Sequence, residues 1–240
     1  MNRQTISATF KRPATLLSDG GTNAKTAKNK LKTLILYLAP LAQNSQGRNL
    51  CPKASDGCAA SCLFSAGRGA FKNVQASRIN RTEYFLNERL EMLQQAADEI
   101  NKAAAKVDTL AVRLNGTSDV RLVEMLTERH TIAANVVFYD YTKILSKALK
   151  YVGATLPSGH RYVVTFSRAE NNEAEALQVL NAGGNVAAVF SGSLPQTWGG
   201  APVVDGDESD DVMIGIRGAV LGLKAKGAAK KDRTGFVIHV

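Results

Sequence analysis

TLAVRLNGTSD, residues 109–119, is the stretch that decides the fold. Leu110, Ala111, Val112 and Leu114 make an apolar run of strand length, and Asn115-Gly116-Thr117-Ser118-Asp119 ends it in turn-forming residues. Ser118 or Asp119 can then cap a helix over residues 120–129. Strand, polar turn and helix make one βα unit, and the same order recurs along the chain. LILYL (34–38), NVVFYDY (135–141), RYVVTFS (161–167) and NVAAVF (185–190) read as further strands, with short ones at 202–204 and 220–223. Helices are expected over 142–151 and 172–181, the second closed by Gly183-Gly184. A single long helix is expected over 78–107, with Leu86, Leu90, Leu93, Ala97 and Ile100 on one stripe.

Alternating strands and helices predict βαβ units and a parallel sheet. No G-x-G-x-x-G follows any strand, which weakens a dinucleotide-binding reading. Polar segments follow strand after strand, as in a barrel whose site lies at the strand carboxyl ends. The expected fold is therefore α/β: a partial (β/α) TIM-like barrel with a cysteine loop after the first strand.

The chain has 240 residues, 45% hydrophobic and 21% charged, ordinary values for a globular domain with a sizeable core. No apolar run is long enough to suggest a membrane span. No targeting segment is visible, so the expected location is cytoplasmic. The net charge is +9. Residues 1–33 carry Arg3, Lys11, Arg12, Lys25, Lys28, Lys30 and Lys32 against Asp19 alone, and are expected to form a basic N-terminal arm on a single domain spanning 34–240. Lys224, Lys226, Lys230, Lys231 and Arg233 make a second basic group. Such clusters attract phosphates, so a nucleotide-like molecule, or nucleic acid through the arm, is an expected partner; a solvated, solubilising tail is the plainer reading.

All three cysteines lie in CPKASDGCAASC: Cys51, Cys58 and Cys62. An odd count in a long chain argues against a disulfide scaffold. Pro52, Ser55, Asp56, Gly57 and Ser61 make a polar turn, which argues against three buried structural thiols. Three thiolates can hold an iron–sulfur cluster with one position open, or a zinc ion completed by a distant ligand; His130, His160 and His239 stand at no zinc-finger spacing.

If the strand ends share one mouth, their polar residues form one candidate site. Arg113, Asn115, Thr117, Ser118 and Asp119 follow the second strand, Asp140 and Lys143 the third, Ser167, Arg168 and Glu170 the fourth. Arg113 lies inside a strand and needs a partner, for which Asp140 is the expected one. Lys25, Lys28, Arg68, Lys143, Lys224 and Lys226 are candidates for holding a phosphate or substrate. Asp119, Asp140, Asp205 and Asp207 could instead hold magnesium in a barrel hydrolase, without a spacing signature.

A cysteine loop after the first strand of a partial barrel resembles the radical S-adenosylmethionine enzymes. There, three cysteines hold a 4Fe–4S cluster and the cofactor's amino and carboxylate groups chelate the fourth iron. Reduction then releases a 5′-deoxyadenosyl radical. The spacing here is C-x6-C-x3-C, where those enzymes usually carry C-x3-C-x2-C. The resemblance puts Asn115 to Asp119 near the cofactor amino group and Ser167 and Arg168 near its ribose and carboxylate.

NAKTAKN (23–29), YLAP (37–40), CPKASDGCAASCLFSAGR (51–68), VRLNGTSD (112–119), FYDYTK (138–143) and KAKG (224–227) resemble the gene product 88-like family of bacteriophage proteins. That implies a phage origin and the infected host cell as location. The leading expectation is a phage iron–sulfur protein of radical S-adenosylmethionine-like type. The alternative is a non-catalytic phage protein that binds nucleic acid or a host protein around a structural zinc or iron–sulfur site.

Overall fold

The computed structural model describes residues 9–22, 27 and 29–240. Seven parallel strands form: β2 (Lys32–Ile35), which begins and ends earlier than the expected 34–38 run, and, where the apolar runs put them, β3 (Leu110–Arg113), β4 (Val136–Thr142), β5 (Tyr162–Ser167), β6 (Asn185–Ser191), β8 (Ala201–Asp205) and β9 (Val220–Lys224). Their order is β2-β3-β4-β5-β6-β9-β8. Antiparallel β1 (Ser18–Asp19) and β7 (Thr197–Trp198) finish the two edges. β5 pairs with the start of β6, and β10 (Val237–His239) pairs with its end. The fold is thus α/β with a mostly parallel sheet and interspersed helices. The sheet is open, with no pairing between β1 and β7 among the described residues, so it makes no closed TIM-like ring.

Strand alternation sorts the apolar residues onto two faces. On one, Leu36, Val112, Phe138, Val164 and Val186 pack with Tyr84 of α2 (Lys72–Asn87), Met92 and Ile100 of α3 (Arg89–Ala104), Leu126 of α4 (Leu122–Thr127), Ala148 of α5 (Leu145–Lys150) and Val179 of α6 (Glu173–Asn181). On the other, Met213 and Ile214 of α7 (Asp210–Gly215) cover Ala111, Tyr139, Ala187 and Leu221. The change of face follows from the strand order. β9 steps back between β6 and β8, and a right-handed crossover that steps back carries its helix to the opposite face.

Several local expectations are corrected. The long helix is two helices broken at Glu88 (φ −135°, ψ 60°). Near the break, Asn87 Nδ2 donates to the Glu83 carbonyl, a side-chain bond that competes with helix continuation. α4 has Arg121 as its N-cap and no side-chain cap, because the Asp119 carboxylate is engaged elsewhere. Part of the basic N-terminal segment packs on the domain: Leu16 and Leu17 are buried, and their N–H groups donate to Glu99 at 2.7 and 2.8 Å. Lys25 and Lys28 lie outside the described residues. No helix among the described residues is long and apolar enough to cross a membrane.

Candidate functional site

The cysteine loop lies at the carboxyl ends of the strands, held by loops that follow three of them. Its short helix α1 (Asp56–Ala60) starts at Ser55, whose hydroxyl accepts from the Cys58 N–H. Glu170, after β5, accepts from the Gly57 N–H and the Ser55 hydroxyl, both at 2.7 Å. After β3, the Asp119 N–H donates to the Leu50 carbonyl at 2.8 Å. Gly57 is closely enclosed: a Cβ there would stand 2.3 Å from Thr234 Oγ1 and 2.6 Å from Phe236 Cβ. Gly116 is similar, with the Tyr37 ring 2.5 Å from where a Cβ would sit.

All three cysteines are free and half-buried. Cys58 packs beside Ala169, Ala229, Phe236 and Val237. Cys51 Sγ approaches the Thr117 carbonyl at 3.6 Å. Burial pushes the Cys51 thiol up to about 11; the Leu41 N–H works against the rise, and Cys62, Cys58 and Asp119 add to it. Burial also raises Cys62, opposed by the Phe64 N–H, Arg78 and Lys143. The thiols therefore lie within electrostatic reach of one another. Among the described residues, however, no three His, Cys, Asp or Glu side chains stand together as a ready metal-binding group.

One backbone donor faces these sulfurs. Phe64 N–H points to Cys62 Sγ at 3.5 Å. Leu41, ahead of the cysteine loop, is the one non-glycine residue with positive φ (53°) among the described residues. A bulky side chain in the left-handed region is strained, and such strain persists only where the surroundings enforce it. Arg78 lies on the Cys62 side, stacked on the Tyr37 ring at 4.8 Å and near the Phe64 ring at 5.9 Å. It is only 8% exposed, and its Nε and Nη1 have no hydrogen-bond partner. Burial lowers its pKa, against the pull of Tyr37 and Cys62.

The expected cofactor-binding residues are mostly committed to one another. Asp140, fully buried, accepts from Asn115 N and Nδ2, both at 2.9 Å, and from Tyr162 OH at 3.1 Å. Asn115 Oδ1 accepts from Ser118 Oγ and the Val120 N–H. Asp119 accepts from Thr142 Oγ1 and the Lys143 N–H and pairs with Lys147 Nζ at 3.8 Å. Thr117 Oγ1 donates to the Leu38 carbonyl. Lys143 Nζ donates to Ser167 Oγ at 2.6 Å and lies over the Phe236 ring. Arg168 clamps the C-terminal segment through the Gly235 and Phe236 carbonyls and pairs with Glu173. These residues frame the loops that carry the sulfurs.

Arg113 is corrected in its partner. It shares a sheet face with Tyr139 and Tyr141, stacking on the Tyr141 ring at 4.7 Å, whereas Asp140 faces the other way. Burial opposes its charge most strongly, but Asp210 together with Tyr141, Tyr139 and Tyr37 outweighs that and raises its pKa. Asp210 itself accepts from Tyr139 OH at 2.8 Å. The four magnesium candidates do not gather either: Lys224 pairs with Asp205 and Lys226 with Asp207, away from the Asn115 and Thr142 networks. Arg68 sits exposed on a 3-10 turn over Gly67–Ala70.

Sequence reasoning missed Leu41, Phe64, Arg78 and Lys147. Leu41 follows Pro40 and carries no composition signal. Arg78 reads as an ordinary helix-surface cation until the loop beneath it is placed. Lys147, half a turn into α5, reads the same way.

The fold and site define an α/β protein with a framed three-thiol loop at the carboxyl ends of its sheet. The gene product 88 family model matches residues 14–240, and the chain belongs to that bacteriophage family. No curated protein and no solved structure matches it.

Proposed function

We propose that the chain is a phage iron–sulfur protein in which Cys51, Cys58 and Cys62 hold a 4Fe–4S cluster with one iron left open for S-adenosylmethionine or a similar nucleotide-like ligand. The observation that carries this reading is the Phe64 N–H turned to Cys62 Sγ at 3.5 Å, with the buried Arg78 on the same side. Donors to sulfur stabilise thiolates and tune the metal they bind. Arg78 adds a buried cation without hydrogen-bonded partners at Nε and Nη1, and Lys143 a second positive charge, where three thiolates would otherwise repel. The donor chemistry, three thiolates beside positive charge, fits the cluster.

Bound there, the cluster would supply an electron and an open coordination position. Glu170 and the Asn115–Asp140 network keep the loop and the strand ends in register. Arg78 and Lys143 would meet the carboxylate of the ligand, and Phe236 and Tyr37 would exclude water from the sulfurs. From β2 to β6 the parallel strands run in sequence order with α2 to α6 on one face, an arrangement that suits part of a barrel, the fold in which such a loop follows the first strand.

Anaerobic reconstitution with iron and sulfide tests the proposal. A thiolate-to-iron absorption band is expected, lost when all three cysteines become alanine. A band that survives that triple substitution, or no band in the wild-type chain, contradicts it. Release of 5′-deoxyadenosine from S-adenosylmethionine under reductant is the expected sign of radical chemistry, and a cluster that releases none removes that part.

A further inference from the structure

The cysteine loop is bordered by a basic rim assembled from two distant parts of the chain. Residues 52–72 and 224–236 meet there: Gly57 abuts Thr234 and Phe236, and Gly227 lies against Ala66. Cys58 packs beside Ala229. Lys53 and Lys72 from the first segment and Lys230, Lys231 and Arg233 from the second are exposed, and none forms an ion pair among the described residues. These two segments carry only two acidic residues, Asp56, exposed in the first turn of α1, and Asp232, against the five cations, and the neighbouring Glu170 is engaged. Asp232 caps its own turn through Thr234, Gly235 and Val237, and Glu170 holds Ser55 and Gly57.

The rim also carries an exposed aromatic. Phe71 is 59% exposed between Arg68 and Lys72, and Leu63, also 59% exposed, lies on the neighbouring turn. A phenyl ring flanked by cations is the chemistry that receives an unstacked base beside its phosphate. A duplex offers phosphates but no free base face, so the aromatic favours a single strand.

We propose that this rim docks single-stranded nucleic acid, with Lys53, Lys72, Lys230, Lys231 and Arg233 on the phosphates and Phe71 under a base. The proposal does not rest on the cluster, because its residues are distinct from the sulfur ligands. It moves the polyanion contact from the N-terminal segment to the carboxyl-end face of the sheet.

The test is fluorescence anisotropy of the full chain with a labelled single-stranded oligonucleotide over a range of salt, the duplex of the same sequence run alongside. Binding of the single strand is expected to weaken with salt, and each double variant (Lys53→Ala with Lys72→Ala, Lys230→Ala with Lys231→Ala) should reduce the log–log slope by about 1.4, at roughly 0.7 per phosphate. Phe71→Ala should weaken binding about tenfold with the slope unchanged. Iron content after reconstitution should be the same in all these variants, which separates this proposal from the cluster. Absence of binding at low salt, binding indifferent to the rim variants, loss confined to a Lys25→Ala, Lys28→Ala control, or preference for the duplex would overturn it.

Discussion

Glu170, from the loop after β5, accepts the Gly57 N–H and the Ser55 hydroxyl at 2.7 Å each, so its carboxylate carries the first turn of the cysteine helix. Burial would raise its pKa, but those two donors together with its own N–H outweigh burial and lower it. A carboxylate with a depressed folded pKa contributes stability above its unfolded value, lost as pH falls through the folded one. Glu170→Ala should therefore cost about 1–3 kcal/mol at neutral pH and much less in acid, read by urea unfolding. An equal loss at both would remove the carboxylate from this role.

Gly57 and Gly116 tolerate no side chain. At Gly57 a methyl would meet Thr234 and Phe236, and at Gly116 the Tyr37 ring. Each alanine variant should lose about 1–3 kcal/mol, the overpacking range. Gly57→Ala should also loosen residues 232–236, visible as faster amide exchange there. Gly116→Ala should leave that segment unchanged.

Cys51 should be the slow thiol. With its pKa at about 11, only about a thousandth is thiolate at pH 8, so alkylation there should be slow and accelerate tenfold per pH unit. A raised thiol pKa stabilises the fold below the unfolded value and loses that contribution as pH rises toward 11. Mass spectrometry of iodoacetamide-treated protein across pH reads both. Fast labelling of Cys51 near neutrality would refute the buried environment assigned to it.

The sheet was largely legible because apolar runs of strand length are bounded by turn residues, as in residues 109–119. The open order and the position of α7 were not, since periodicity says nothing of which strands become neighbours. At the site, the cysteines declared themselves by type and spacing. Asn115 and Asp140 stand out in the sequence as polar groups at strand ends, but their use depends on facing: they bond each other, while Arg113 points to the opposite face and finds Asp210. Leu41 and Arg78 were invisible because a backbone strain and a buried helix cation have no composition signal.

Asn115→Ala follows from that facing. It would leave the buried Asp140 without its amide donor and expose the Ser118 and Val120 donors to no acceptor. The expected cost is about 2–4 kcal/mol, since an under-satisfied buried carboxylate is dear to keep. Chemical denaturation with an unchanged m-value checks it; a loss under 0.5 kcal/mol, within the usual range for an ordinary surface substitution, would contradict it.

The most direct measurement is the iron and acid-labile sulfide content of protein purified without oxygen, for the wild-type chain and for Cys51→Ala, Cys58→Ala and Cys62→Ala singly. The account predicts close to four irons and four sulfides per chain in the wild type, as a 4Fe–4S cluster requires, and a large loss in every single variant. Zinc in place of iron, or full iron retained when any one of the three cysteines is removed, would contradict it.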